Sequence, residues 1–192
     1  MFAYLQGTLQ LKTPSMVHLD VNGVGYELNI TLPTYTRIQH ESSFRFYIHL
    51  QIREDAWTLY GFADEAERDT FRKLIAINGV GAGTARIILS SMTPAELEQA
   101  IFSEDIKALE KVKGIGSKTA QRIVLELKGK LVSPKLRTDL PVDKHNTIRE
   151  DALIALVNLG IGKAVAEAAI KKIVPTDDLS VEDLIKQALR VL

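Results

Sequence analysis

The chain contains no cysteine, so it forms no disulfide, offers no thiolate to a metal and performs no cysteine catalysis. Histidine is nearly as scarce. His18, His40, His49 and His145 are scattered without ligand spacing, which argues against a zinc centre. No uninterrupted apolar run approaches the ~18 residues that a membrane span requires. The N-terminus lacks the basic patch and apolar run of a secretion signal. Formal net charge is zero, which counts against a uniformly basic polyanion binder. These absences lead us to expect a cytosolic protein with no cofactor, no metal and no membrane segment.

What is present suits a globular protein. Of 192 residues, 46% are hydrophobic and 25% charged, enough for one large domain or two to three small ones. The neutral total hides a local pattern. Between Lys107 and Lys130 stand seven basic residues (Lys107, Lys111, Lys113, Lys118, Arg122, Lys128, Lys130) against Glu110 and Glu126. Residues 1–63 carry four basic and five acidic side chains. A positive field on one segment can steer a polyanion, although a solvated helix face has the same composition.

Residues 1–63 read as β structure. Val17, Leu19 and Val21 alternate with other residues, Asn22-Gly23 follows, and Val24, Tyr26, Leu28 and Ile30 alternate again. Asn-Gly between alternating runs is a strong hairpin signal, because the tight primed turn needs positive φ at both central residues. A second hairpin runs from Phe44, Phe46, Ile48, Leu50 and Ile52 through Arg53-Glu54-Asp55-Ala56 to Trp57 and Leu59. Several short strands in about sixty residues suggest a small closed barrel of the OB type.

Helical spacing takes over for residues 64–132. Thr93-Pro94-Ala95-Glu96 places Pro in a first turn behind a Thr cap, with Glu three residues on. Residues 133–146 hold two prolines and little apolar content, and read as a linker. Residues 147–192 read as a three-helix bundle. One helix covers Ala152 to Leu159 and stops at Gly160, a second runs from Lys163 to Val174 ahead of Pro175, and a third is capped by Ser180 with Asp183. The expected class is α+β and multidomain: an OB-type barrel, a central all-α domain and a C-terminal three-helix bundle.

The central segment repeats itself. With a shift of 35 residues, Leu74–Met92 aligns with Leu109–Leu127 without a gap, and six of nineteen positions are identical. Ile77/Val112, Val80/Ile115, Leu89/Val124 and Met92/Leu127 exchange one apolar residue for another. The shared centre is Gly, aliphatic, Gly, then Thr-Ala three residues on. Each copy reads as helix, glycine hairpin, helix.

That centre has a specific physical use. Gly79 and Gly114 permit backbone angles forbidden to other residues. Gly81 and Gly116 leave no side chain between backbone and ligand. Val80 and Ile115 can plug into a core and hold the hairpin. The next helix then offers unpaired N–H groups and its positive dipole end, a natural seat for a phosphate oxygen. Lys118 adds a cation in the second copy, and Arg122 lies one turn later on the same face. Such contacts grip the nucleic-acid backbone without reading sequence. We therefore single out Asn78, Gly79, Val80, Gly81, Gly83 and Thr84, and Gly114, Ile115, Gly116, Ser117, Lys118, Thr119 and Arg122, as candidate DNA-binding residues.

Rival readings are open at this stage. Gly-x-Gly can simply close a helix-turn-helix corner, which would leave a protein-interaction scaffold. A nuclease or glycosylase could use the hairpins for grip, but it needs clustered carboxylates or a lysine–aspartate pair, and none is evident. Nucleotide binding fails on spacing. Gly116-Ser117-Lys118-Thr119 looks like the tail of a phosphate-binding loop, yet that motif needs glycine at 112 and 117, where Val112 and Ser117 stand. No ATP hydrolysis or other catalysis is expected.

Three further motifs bear on family. Arg53-Glu54-Asp55-Ala56-Trp57-Thr58-Leu59-Tyr60-Gly61-Phe62, Val24-Gly25-Tyr26-Glu27 and Asn78-Gly79-Val80-Gly81 accompany Gly114-Ile115-Gly116-Ser117-Lys118-Thr119-Ala120. Together they resemble the RuvA family over the whole chain. The resemblance implies a tetramer, or an octamer of two tetramers face to face, that holds a four-way (Holliday) junction open in square-planar form. It implies an acidic pin at Glu54 and Asp55 that points at the crossover. It implies that residues 147–192 dock the hexameric ATPase motor RuvB, and it brings the RuvC resolvase into range as a partner. The surroundings would be the bacterial cytoplasm, in recombination and DNA repair. One departure stands out: Gly83 occupies a place where family members can carry lysine, so the first hairpin relies on backbone N–H groups unless Arg86 compensates.

Overall fold

The computed structural model describes residues 2–128, 144–173 and 180–192. It divides into two compact units, residues 1–132 and 133–192. Among the described residues no helix is long and apolar enough to cross a membrane.

The first unit begins with a closed five-stranded barrel. Strands β1 (Tyr4–Thr13), β2 (Met16–Val21), β3 (Val24–Asn29), β4 (Ser43–Ile52) and β5 (Trp57–Phe62) run in the order β1-β2-β3-β5-β4. Closure comes from parallel pairing of β3 with β5, Leu28 opposite Leu59 and Asn29 opposite Tyr60. The Asn-Gly hairpin forms as its sequence demands. Asn22 and Gly23 take φ of 52° and 86°, and the Asp20 carboxylate accepts the Gly23 N–H at 3.0 Å. Alternation then aims Val17, Leu19, Leu28, Phe46 and Ile48 into a dry core with Leu5, Ile30 and Ile38. Gly7 is required by close approach, because a Cβ there would lie 2.0 Å from the Asp20 carbonyl oxygen.

A short helix, α1 (Leu32–Ile38), plugs the chain between β3 and β4. Period-two reading missed it. Its start is nevertheless conventional: Thr31 Oγ1 caps Thr34 N at 3.3 Å, and Pro33 sits in the first turn.

Five helices complete the unit: α2 (Glu65–Ile75), α3 (Ala82–Ser91), α4 (Pro94–Phe102), α5 (Ile106–Glu110) and α6 (Ser117–Lys128). Asp64, Thr93 and Asp105 cap α2, α4 and α5, and Thr93 with Glu96 forms the full capping box. The sequence repeat folds as two hairpins, α2–α3 and α5–α6. Its apolar pairs are core pairs: Leu74/Leu109, Ile77/Val112, Val80/Ile115, Ala85/Ala120, Ile88/Ile123 and Leu89/Val124 are all buried.

Barrel and hairpins share that core. Tyr60 and Phe62 of β5 join the helical cluster, with ring centroids 5.0 and 4.9 Å from Phe71 of α2. Beside them lies a buried carboxylate. Glu67 of α2, 3% exposed, accepts the Thr34 hydroxyl at 2.7 Å, the Thr31 hydroxyl and, at 3.4 Å, the Ala63 N–H. Burial lifts its pKa above the ordinary value against the pull of those hydrogen bonds.

The second unit contains α7 (Lys144–Asn158), α8 (Lys163–Lys171) and α9 (Val181–Arg190) around Ala152, Leu156, Ala166, Ala169, Ile170, Ile173, Leu184 and Ala188. Gly160 stops α7 with φ of 90°, and Ser180 caps α9 by accepting Asp183 N at 3.1 Å. Two expectations need correction. Helix α7 begins at Lys144, inside the stretch 133–146 read as linker; past Pro141 no proline or glycine interrupts the chain before Gly160, so the helix extends back. Helix α8 ends at Lys171 rather than Val174, with Lys172 as its C-cap. Residues 133–143, Val174 and Pro175 lie outside the described residues.

Candidate nucleic-acid interface

The two glycine corners are near copies. Gly79 and Gly114 both take φ of +89°, a value strained for any side-chain-bearing residue. Val80 and Ile115 turn inward and are buried, each contributing about 1.5–3 kcal/mol of apolar burial that anchors its corner. Val80 N donates to Ile77 O and Ile115 N to Val112 O, both at 3.0 Å. The Val80 and Ile115 amides are thus used internally and close the turn, so they are not available to a ligand.

The outward amides belong to the flanking glycines and the helix starts. The first helical bonds run from Ala85 N to Gly81 O and from Ala120 N to Gly116 O, both at 2.9 Å. Amides ahead of them in each helix have no intrahelical acceptor. No side chain caps α3. Gly79, Gly81 and Gly83, and Gly114, Gly116, Ser117 and Lys118, are exposed, while Thr84 and Thr119 are half-buried. Gly81 has an ordinary φ of −81°, and a Cβ there would meet no atom within 4 Å; the space at Gly83 and Gly116 is equally open. Nothing among the described residues demands glycine at these places. Bare backbone beside an open helix start is what close approach of an oxyanion requires.

Charge is distributed differently from the expectation. Lys118 is exposed at the second helix start and makes no ion pair among the described residues. Arg122 does not simply reinforce it. Its Nη1 donates to the carbonyl oxygen of Asn78, 2.9 Å away, at the corner of the first hairpin. Arg86 does not make good the missing lysine at Gly83 either. It turns toward the barrel, where Nη1 donates to Asn29 Oδ1 at 2.6 Å and to Ser15 O at 3.3 Å. Lys128 is paired with Glu104, whose carboxyl is held below its ordinary pKa by that hydrogen bond and charge. Lys107, Lys111 and Lys113 are exposed, and Lys130 lies outside the described residues.

At the β4–β5 turn Glu54 and Asp55 are exposed, and Arg53 N closes the loop by donating to Ala56 O at 2.9 Å. The pair at the neck of this hairpin, Ile52 opposite Trp57, is also exposed, the indole by 75%. Alternation gave no hint of that exposure. The roles of Arg122 and Arg86 were equally hidden, although the exchange of Ile87 for Arg122 at matched positions of the repeat was a usable signal.

Three family models match the chain in succession: the RuvA N-terminal domain over residues 1–61, a SAM-like helix-hairpin-helix tandem over 71–130, and the RuvA C-terminal domain over 147–192. Proteins named Holliday junction branch migration complex subunit RuvA are similar over their full length. That of Christiangramia forsetii is 44% identical over 193 residues, and that of Cytophaga hutchinsonii 44% over 199, with all of both chains covered in each case. That of Syntrophotalea carbinolica is 44% identical over 195 residues, covering 100% of this chain and 99% of its own. The chain belongs to the RuvA family. The barrel, the glycine hairpins and the C-terminal helices are therefore the family's parts in the family's order. The helix-hairpin-helix tandem model spans both corners, so the open helix starts lie within the matched unit.

Proposed function

We propose that this chain is a non-catalytic, structure-selective binder of four-way (Holliday) DNA junctions, working as a tetramer that holds the junction open. The observation that carries this reading is the pair of matching corners, each with bare glycine backbone beside an uncapped helix start, in a chain of the RuvA family. Each corner would seat one phosphate through backbone N–H groups, reinforced at the second by Lys118. Two grips on one unit would set the duplex direction without reading bases. Asn78, Gly79, Gly81, Gly83 and Thr84, with Gly114, Gly116, Ser117, Lys118 and Thr119, would form this surface around the buried anchors Val80 and Ile115.

Glu54 and Asp55 would act as the acidic pin. Carboxylates repel phosphates, so four such tips around a crossover would oppose re-pairing and favour separated strands. Residues 147–192 would dock the RuvB motor, whose ATP hydrolysis drives migration in the bacterial cytoplasm, with RuvC as a further partner and a second tetramer closing an octamer. A net charge of zero is compatible with this reading because the positive excess is local, seven basic against two acidic residues between Lys107 and Lys130.

A gel-shift series with a synthetic four-way junction and a linear duplex of equal length tests the reading. Junction binding should be tighter by an order of magnitude or more, and should fall steeply between about 50 and 200 mM salt. Equal affinity for the two substrates would refute structure selectivity, and metal-dependent cutting of the junction would favour a nuclease.

A further inference from the structure

Arg122 breaks the symmetry of the repeat. Its counterpart in the first copy is Ile87, an apolar side chain 42% exposed. Arg122 starts in the second copy, on α6, yet its guanidinium ends at the first copy's corner. A Cβ built on Gly79 would lie 3.8 Å from the same Nη1. Among the described residues no side-chain hydrogen bond reaches the Lys113 carbonyl at the second corner, and Ile87 has no donor to send.

Peptide geometry gives that contact a consequence. The Asn78 carbonyl and the Gly79 N–H belong to one planar trans peptide, so they point in opposite directions. Holding the oxygen toward Arg122 turns the Gly79 N–H away from it. That N–H finds no acceptor among the described residues. The Val80 N–H bond to Ile77 O closes the turn without touching the Asn78–Gly79 peptide, and glycine allows that central peptide a wider range of orientations than any other residue would. The second corner has Lys118 beside it; the first, with Gly83 in that place, has no cation of its own.

We propose that Arg122 is a positioning residue for the first hairpin: it reaches across from the second unit, locks the Asn78–Gly79 peptide, and fixes the spacing at which the two corners meet phosphates. The fork of a guanidinium suits this task, since it keeps further N–H donors after one is committed to the carbonyl. The proposal rests on the junction-binding reading above. It makes the weakly charged first corner dependent on a side chain from the other copy, and the second corner self-sufficient.

The absence of native cysteine allows each corner to be probed separately. Full-length chains carrying a single cysteine, Asn78→Cys or Lys113→Cys, are labelled with a photoreactive aryl azide and cross-linked to a synthetic four-way junction. Both side chains are exposed, and the Asn78 contact uses its backbone oxygen. Adding Arg122→Ala should lower the yield from position 78 by about fivefold or more while the yield from 113 stays within about twofold. Arg122→Lys should behave like Arg122→Ala, because a single ammonium on a flexible stem does not reproduce the fork. Native-like yields in Arg122→Lys, or an equal loss at both positions, would overturn the proposal and leave Arg122 a plain phosphate contact. Absence of cross-links from both positions while Arg122 is intact would instead remove the junction reading itself.

Discussion

At Gly81 and Gly79 the chain uses the same residue type for two reasons, and substitution separates them. Gly81 has an ordinary φ and empty space where a Cβ would go. Gly81→Val should therefore cost no more than ~1 kcal/mol of stability, the loss of a favourable helix N-cap. Junction affinity should fall about tenfold, because the isopropyl group occupies the approach of a phosphate. Gly79→Ala should do the reverse. At φ of +89° the methyl group strains the corner and should cost about 1–2 kcal/mol, read as a lower urea midpoint. If Gly81→Val bound junctions as tightly as the parent, the backbone grip would be wrong. The repeat shows why only part of this was legible. Its glycines and buried aliphatics mark the corners, but the destination of a long side chain such as Arg122 or Arg86 depends on neighbours far away in sequence.

At the scale of elements, the decisive joint is where α1 and β5 of the barrel meet α2. Glu67 sits in it, held by Thr31, Thr34 and Ala63. Burial is the largest influence on its carboxyl and raises the folded-state pKa above 4.5. A raised pKa means the fold favours the protonated form. Its stabilising contribution is full below pH 4.5 and is lost as pH rises through the folded value. Glu67→Gln imitates the protonated carboxyl, so stability at neutral pH should be equal to the parent's or higher. The dependence of urea midpoint on pH between about 4.5 and 7.5 should flatten. A Gln variant with the parent's pH dependence would show that other groups govern it. The joint matters because it sets where the β4–β5 tip lies relative to the hairpins.

For the whole molecule, the division into units 1–132 and 133–192 predicts a division of labour. The glycine corners and the Glu54-Asp55 tip all lie in the first unit, whose two cores are complete without α7, α8 and α9. A chain lacking residues 144–192 should bind a four-way junction within about twofold of the parent in a gel-shift titration, since no phosphate contact is removed. It should fail to stimulate ATP-driven branch migration by RuvB. Lost junction binding would place part of the DNA grip in the C-terminal helices; retained stimulation would place the motor contact elsewhere.

Local rules were readable from residue order alone: the Asn-Gly turn, the Thr93–Glu96 box, the Gly160 stop and the thirty-five-residue repeat. Each depends on backbone preferences spanning a few residues, or on periodic burial, and those survive without knowledge of distant neighbours. Three-dimensional packing was needed for the rest. Closure of the barrel by parallel β3–β5 pairing, the bond from Thr34 to the buried Glu67 and the reach of Arg122 to Asn78 all join residues separated by more than thirty positions, and Tyr60 and Phe62 join a helical core that extends to Leu127. Contacts at that separation follow from which surfaces the folded elements present to one another, and linear spacing does not encode which surfaces meet.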